Sequence, residues 1–261
     1  MKKIKFNKGW LKFIIVGVVA YLIFIIAEFP AAVAYQYIVK PFDRASVVNL
    51  QGLTGTLWSG KAAQSRIANL TLGQLQWHIQ FMPMLMGKLG LGVQLKNKSD
   101  NINADIITGM GGLLEVDNLQ GQVPIQTFTP LFYGLPIAVA GQVSADIQHA
   151  EIKQGQKILV EGKAVWRNAA LTAPTAFEFG DLFAAFRPKP EGTEILLSDQ
   201  GGPLSLEGTV QVKNSGEYKL NIYLGSRGKD DGLKNALKML GRTNPQGKIL
   251  ISRTGRLKNW N

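Results

Sequence analysis

The chain has 261 residues, 46% of them hydrophobic, and a formal charge of +11. It contains no cysteine, which excludes disulfide staples, thiolate metal sites and a cysteine nucleophile and suits an oxidising compartment. The length allows one large domain or two small ones around a sizeable core. Charge is uneven along the chain: residues 1–27 carry five lysines and no acid, and residues 213–261 carry 11 basic against 3 acidic groups. A basic C-terminal end suits nucleic acid, anionic lipid or an acidic partner, or is simply a solvated face. No interleaving of aromatic and basic residues of the RNA-recognition kind accompanies it, so no nucleic-acid partner is expected.

The first predicted element is a membrane helix over residues 9–27, GWLKFIIVGVVAYLIFIIA, whose one charge is Lys12. At 1.5 Å per residue it spans about 28 Å, close to the hydrocarbon thickness of a bilayer. Lys12 can snorkel to the headgroups, and Trp10 sits at the same level. Lys2, Lys3, Lys5 and Lys8 precede the segment, so the positive-inside rule keeps the N-terminus cytoplasmic and translocates the remainder, into the periplasm of a bacterium. The rival reading is a cleaved signal peptide, since Ala32-Val33-Ala34 after Pro30 has the small residues of a cleavage site. Against it, the apolar run exceeds an ordinary signal core and Glu28 stands between run and site. The expected division is a cytoplasmic tail (1–8), a transmembrane helix (9–27), a juxtamembrane linker (28–46) and a periplasmic β-rich domain (47–261).

Beyond residue 46 the dominant period is two. Leu75, Trp77 and Ile79 alternate with Gln74, Gln76, His78 and Gln80; Leu89, Leu91, Val93 and Leu95 form the next row. Further rows are Ile137, Val139, Val143, Ala145, Ile147; Ile158, Val160, Ala164, Trp166; Leu204, Leu206, Val210, Val212; and, after an Asn-Ser-Gly turn, Tyr218, Leu220, Ile222, Leu224. Such alternation predicts a mainly β fold of antiparallel strands, wet on one face and packed on the other. The packed face must meet another sheet, curl on itself or cover a ligand. Helices are few. Asp231 to Leu240 is the clearest, with Leu233, Ala236, Leu237 and Leu240 on one face and Gly241 just past its end. Phe81 to Met86 (FMPMLM) and Gly180 to Phe186 (GDLFAAF) read as short helical crossovers, FMPMLM being core in preference to a lipid contact.

A search for chemistry finds no catalytic centre. His78 and His149 lie in separate strands without metal-ligand spacing. There is no Walker A or nucleophile elbow, and neither Gly52-x-x-Gly55 nor Gly109 to Gly112 precedes a helix that could bind an anion. No enzyme activity, metal or cofactor is expected.

The stretch Gly52 to Ala62, GLTGTLWSGKA, stands out. Gly55 and Gly60 bracket Thr56, Leu57, Trp58 and Ser59, and a glycine on each side permits a bulge or tight corner around the indole. Trp58 would lie over the apolar floor of the sheet, as a structural corner or as a docking group for a partner or ligand. Trp77 belongs to the neighbouring strand signature.

A basic tail, one apolar helix, GTLWSGKA and LQWHIQ (residues 75–80) together resemble the protein N family of the bacterial type II secretion system. LFYGLPIAVAGQV (131–143), DQGGPLSLEGTVQV (199–212), YKLNIYLGSR (218–227) and the 233–241 helix extend the likeness along essentially the whole chain. The resemblance implies an inner-membrane accessory protein, partnered by other secretion subunits, with a periplasmic domain that works by contact. It also implies a distant likeness to AsmA-like envelope proteins: a curved sheet, either a half-pipe or an open sandwich. A lipid bound in the apolar groove of that β domain is the alternative function.

Overall fold

The computed structural model describes residues 8–42, 48–67, 70–97, 101–109, 111–132, 138–227, 231–240 and 244–257. Lys2, Lys3, Lys5, residues 43–47, Ile137 and Gly241, on which parts of the sequence expectations fall, lie outside them. Thirteen strands follow one another: β1 (Val48–Gly55), β2 (Ser59–Ile67), β3 (Leu70–Gln80), β4 (Leu89–Lys96), β5 (Asn101–Thr108), β6 (Leu114–Pro124) and β7 (Ala138–Lys153), then β8 (Lys157–Ala173), β9 (Phe177–Lys189), β10 (Gly192–Asp199), β11 (Leu204–Lys213), β12 (Glu217–Ser226) and β13 (Ile249–Arg256). They form a single antiparallel sheet in which each pairs only with its sequence neighbours, so the sheet is not closed into a barrel.

The predicted apolar rows meet across the strands. Leu75, Trp77 and Ile79 face Leu95, Val93 and Leu91. Leu91 and Val93 in turn face Ile106 and Ala104. Farther along, Val143 and Ala145 oppose Trp166 and Ala164, Leu206 and Val210 oppose Leu224 and Leu220, and Leu224 opposes Ile249. One face is therefore predominantly apolar, with Asp199 opposite Leu182 and Arg253 opposite Leu220 as exceptions. The other carries Lys61, Gln76 and Gln94 in a cross-strand row, with Gln94 Nε2 donating to Asn103 Oδ1 at 2.8 Å. Because strand side chains alternate, every row depends on correct register.

The deepest core lies at the C-terminal end. Helix α5, Asp231–Leu240, arises where the sequence predicted it. Its Leu233 and Leu237 pack on Leu204 and Ile249, with Phe177, Phe179, Leu206 and Leu224 around them. Most of the remaining apolar face is only half-buried. Near the start of β8 the sheet curls sharply. Pairing of β8 with β9 stops at Gly162 opposite Phe186, and side chains from beyond β9 take over. Thr193 Oγ1 accepts from the Val160 amide at 3.0 Å and donates to the Ile158 carbonyl at 2.9 Å. Asn214 Oδ1 accepts from the Ile158 amide at 3.0 Å.

Helix α1 is Lys8–Ala27, 20 residues by its backbone, with the side chains of Lys8, Gly9 and Leu11 outside the described set. Judged on the described residues alone, no helix is long and apolar enough to cross a membrane. Within residues 28–46 the chain turns at residues 28–30 and is then helical over residues 31–42: α2 (Ala31–Ala34), a π-helical stretch (Tyr35–Val39) and α3 (Lys40–Phe42). Ala31, Ala34 and Tyr35 are buried.

Two expectations about the helices need correction. Gly180–Phe186 is not a helix but the middle of β9. Leu182 and Phe186 are paired on both sides, to Trp166 and Gly162 of β8 and to Asp199 and Ile195 of β10, and this pairing overrides the helix propensity of Leu-Phe-Ala-Ala. Phe81–Leu85 is helical (α4), but it is not core: Phe81, Met82, Leu85 and Met86 are all exposed. One helical turn on the rim between β3 and β4 has no layer above it to bury against.

Candidate functional site

The Gly55–Gly60 corner is the turn between β1 and β2, with Gly55 paired to Gly60. The Thr56 amide donates to the Ser59 carbonyl at 2.9 Å, and the Ser59 amide donates back to Thr56 Oγ1 at 3.2 Å. Gly55 holds φ +87, and a Cβ there would come within 2.6 Å of the Ser59 carbonyl oxygen. Gly60 is needed for a different reason. A Cβ on it would lie 2.3 Å from the Trp77 ring and 2.8 Å from the Thr54 carbonyl oxygen. The second glycine thus leaves room for the neighbouring strand's tryptophan.

The two indoles divide the work. Trp77 Nε1 donates to the Leu57 carbonyl at 3.1 Å, holding the turn against β3. Trp58 does not lie over the apolar floor, as the alternation had suggested. It turns away from the sheet, and its Nε1 donates at 2.7 Å to the carbonyl of Ile26 in the last turn of α1. That carbonyl belongs to the final four of a helix, which have no partner within it. The Leu57 amide donates to the Phe29 carbonyl at 2.8 Å, and Pro30 forms an antiparallel bridge with Thr56. The Ile79 amide donates to the Trp58 carbonyl at 2.7 Å. The Trp58 ring stacks on Phe81 of α4, centroids 5.6 Å apart and planes 25° apart. Gly55, Thr56, Leu57, Trp58, Ser59, Gly60 and Trp77 are therefore brought together at one joint between helix and sheet. Trp10 and Lys12 are elsewhere, exposed in the first turns of α1.

The same N-terminal segment covers one sheet edge. The Tyr35 hydroxyl donates to the Val48 carbonyl at 2.8 Å and accepts from the Leu50 amide at 3.1 Å, occupying groups with which another strand would pair. On β13 no further strand is paired among the described residues.

One polar constellation escaped the sequence. Asp117 of β6 is in register with His149 of β7, and His149 Nδ1 lies 2.6 Å from its carboxylate. His149 Nε2 lies 3.2 Å from Glu151, which also pairs with Lys157. The Asp117 hydrogen bond, with help from Glu151, raises the His149 pKa above its ordinary value against the opposing effect of burial. Glu151 is lowered, chiefly by its hydrogen bond to Lys157. His-x-Glu on one strand puts both on one face and was a usable signal; Asp117, reached only through register, was not. His78 is exposed, its ring lying over Gly92. Among the described residues no group of three or more acidic or histidine side chains is arranged to hold a metal ion.

These features define a class: an open antiparallel sheet joined through one corner to a preceding apolar helix, with one edge covered by its own chain. The family model for type II secretion system (T2SS), protein N, matches residues 46–252. The chain belongs to that family. It is 23% identical over 238 residues to the type II secretion system protein N of Vibrio cholerae serotype O1, covering 89% of this chain and 93% of the relative. It is 25% identical over 256 residues to that of Aeromonas hydrophila, covering 92% and 95%. It is 25% identical over 203 residues to that of Klebsiella pneumoniae, covering 75% and 78%. No solved structure matches the chain.

Proposed function

We propose that this type II secretion component is an inner-membrane-anchored accessory subunit that offers its sheet to other secretion subunits and performs no bond-making step. The observation that carries the reading is the asymmetry of the two sheet edges. β1 is capped by Tyr35, whereas β13 has no described neighbour beyond it and suits strand addition by a partner. Beside that edge an exposed cross-strand pair, Leu250 and Tyr223, stands among the polar side chains of Glu207, Asn221 and Ser252, apolar area of the kind that interfaces bury. Part of the basic C-terminal end is neutralised internally, through Lys248 with Glu207 and Lys213 with Glu217, leaving Arg253 exposed on β13 for an acidic partner.

Anchoring is proposed through residues 9–27. In support, α1 has a 20-residue backbone helix, about 30 Å at 1.5 Å per residue. Its described side chains past Lys12 are apolar and exposed. The burial of Ala31 and Ala34 against the body of the protein favours an intact joint over cleavage after Ala34. The proposed topology is a cytoplasmic N-terminus with residues 47–261 periplasmic.

Photocrosslinking in cells tests the contact: a photoreactive residue replaces Leu250, Ser252 or Thr254 in a strain carrying the whole secretion machine. Adducts to a secretion subunit are expected. If none forms there while positions on β5–β8 do crosslink to such a subunit, the β13 reading is overturned. A second reading, an AsmA-like half-pipe that shelters lipid, is favoured by the half-buried apolar face, which α5 covers at one end only. Mass spectrometry of the gently extracted protein decides it: stoichiometric lipid that survives detergent exchange supports it, and none removes it.

A further inference from the structure

We infer that α4 is a second membrane contact: its apolar turn beds into the outer leaflet of the membrane that α1 spans, held there by Trp58. The inference rests on the anchoring proposed above. Phe81 is 63% exposed, Met82 74%, Leu85 83% and Met86 76%, with Met84 and Leu89 also exposed. From Phe81 to Gly87 there is no charged residue. A contiguous run of large apolar side chains facing outward marks an interaction surface and not a solvated rim.

Its place in the fold identifies the occupant. Trp58 touches Ile26 of α1 through its indole N–H at 2.7 Å and stacks on Phe81 at 5.6 Å. Phe81 is thus two short contacts from the last turn of α1, the level at which a spanning helix leaves the hydrocarbon. A headgroup layer is roughly 6 Å deep, of the same order as the 5.6 Å between the Trp58 and Phe81 rings, so α4 stands near the headgroup level. Aromatic and long flexible apolar side chains are favoured at this level. The stack also fixes orientation. A second contact limits how far the sheet can tilt against the membrane surface.

The chain has no native cysteine, so single cysteines can carry an environment-sensitive fluorophore without background. Full-length Leu85→Cys, Val19→Cys and Thr209→Cys proteins are labelled and placed in phosphatidylethanolamine–phosphatidylglycerol vesicles holding lipids spin-labelled at a shallow or a deep acyl position. Val19 reports the anchor, and Thr209, on the polar face of β11, is the aqueous control. The expected result is deep quenching at Val19, shallow quenching with a blue-shifted emission at Leu85, at least twofold above Thr209, and only background at Thr209. Quenching at Val19 with Leu85 no different from Thr209 overturns this inference while leaving the anchor intact, and would turn α4 over to a protein partner. Absence of quenching at both Val19 and Leu85 overturns the anchor and the inference together.

Discussion

If Trp58 is the clamp between α1 and the sheet, removing its single donor should loosen the joint and little else. Trp58→Phe deletes the indole N–H that reaches Ile26 at 2.7 Å but keeps an aromatic ring to stack on Phe81. A hydrogen bond of this type contributes about 1 kcal/mol net, so the equilibrium for opening the joint should rise about fivefold. Trp58→Ala also removes the stacked pair, worth about 0.5–1.5 kcal/mol beyond burial, and the combined rise should be tenfold or more. Hydrogen exchange of the full-length protein in nanodiscs reads this at two amides: Leu57, bonded to the Phe29 carbonyl, and Ile79, bonded to the Trp58 carbonyl. Local opening exchanges these without unfolding the remainder, so amides of β10 to β12 act as the internal reference. Faster exchange confined to the joint, in the order wild type, Phe, Ala, is expected. Unchanged exchange at Leu57 in Trp58→Phe, or equal acceleration across the whole sheet, would refute the clamp.

Gly60→Ala should destabilise by about 1–3 kcal/mol as a lowered urea midpoint, because the new methyl must displace the Trp77 ring or the Thr54 carbonyl. Leu233→Ala, in the core under α5, should cost about 2–5 kcal/mol and release α5 first, read as proteolytic cutting within 228–243. Tyr35→Phe leaves the Val48 carbonyl and Leu50 amide without the hydroxyl; about 1 kcal/mol should be lost, with faster exchange at Leu50 and no change in β12. The His149 pKa is raised in the fold, so its contribution is complete below the unfolded value of 6.5 and fades as pH climbs through the higher folded value. Wild type should therefore lose more stability than His149→Gln between pH 6 and 9 in thermal melts, and parallel pH curves would show that the pair with Asp117 contributes nothing.

The strands were legible because period two survives wherever one face is apolar, and Leu75, Trp77 and Ile79 meet Leu95, Val93 and Leu91 as the alternation requires. The helix at Asp231–Leu240 was legible for the corresponding reason at period 3.6. β9 was not, since Leu182 to Phe186 mixes helix-forming residues with an alternation that only its paired neighbours make decisive. Gly55 holds the positive φ that a corner glycine permits, whereas Gly60 leaves space for the Trp77 ring, a need that only the fold reveals, and the target of Trp58 was hidden likewise. Ile26 lies 32 residues away in what composition presents as a separate membrane segment, and no periodicity couples the two. His149 was hidden by register: its partner Asp117 stands on the neighbouring strand β6, and a one-residue slip of that pairing decides which acid faces it.

Joint, edge and apolar turn follow from one topological circumstance. A meander that pairs every strand with its sequence neighbour places the first and last strands at opposite edges, and the chain that enters from α1 arrives beside β1. The entering segment is therefore the one available to cover that edge, through Pro30 on Thr56 and Tyr35 on Val48 and Leu50. No equivalent segment is at hand for β13 among the described residues. An uncovered edge is an aggregation hazard in a free monomer, and the exposed arginines Arg253 and Arg256 on β13 oppose self-pairing by like charge while admitting an acidic strand. Under the function proposed above, the geometry that ties one end of the sheet to its helix leaves the far end as the surface for selecting a partner.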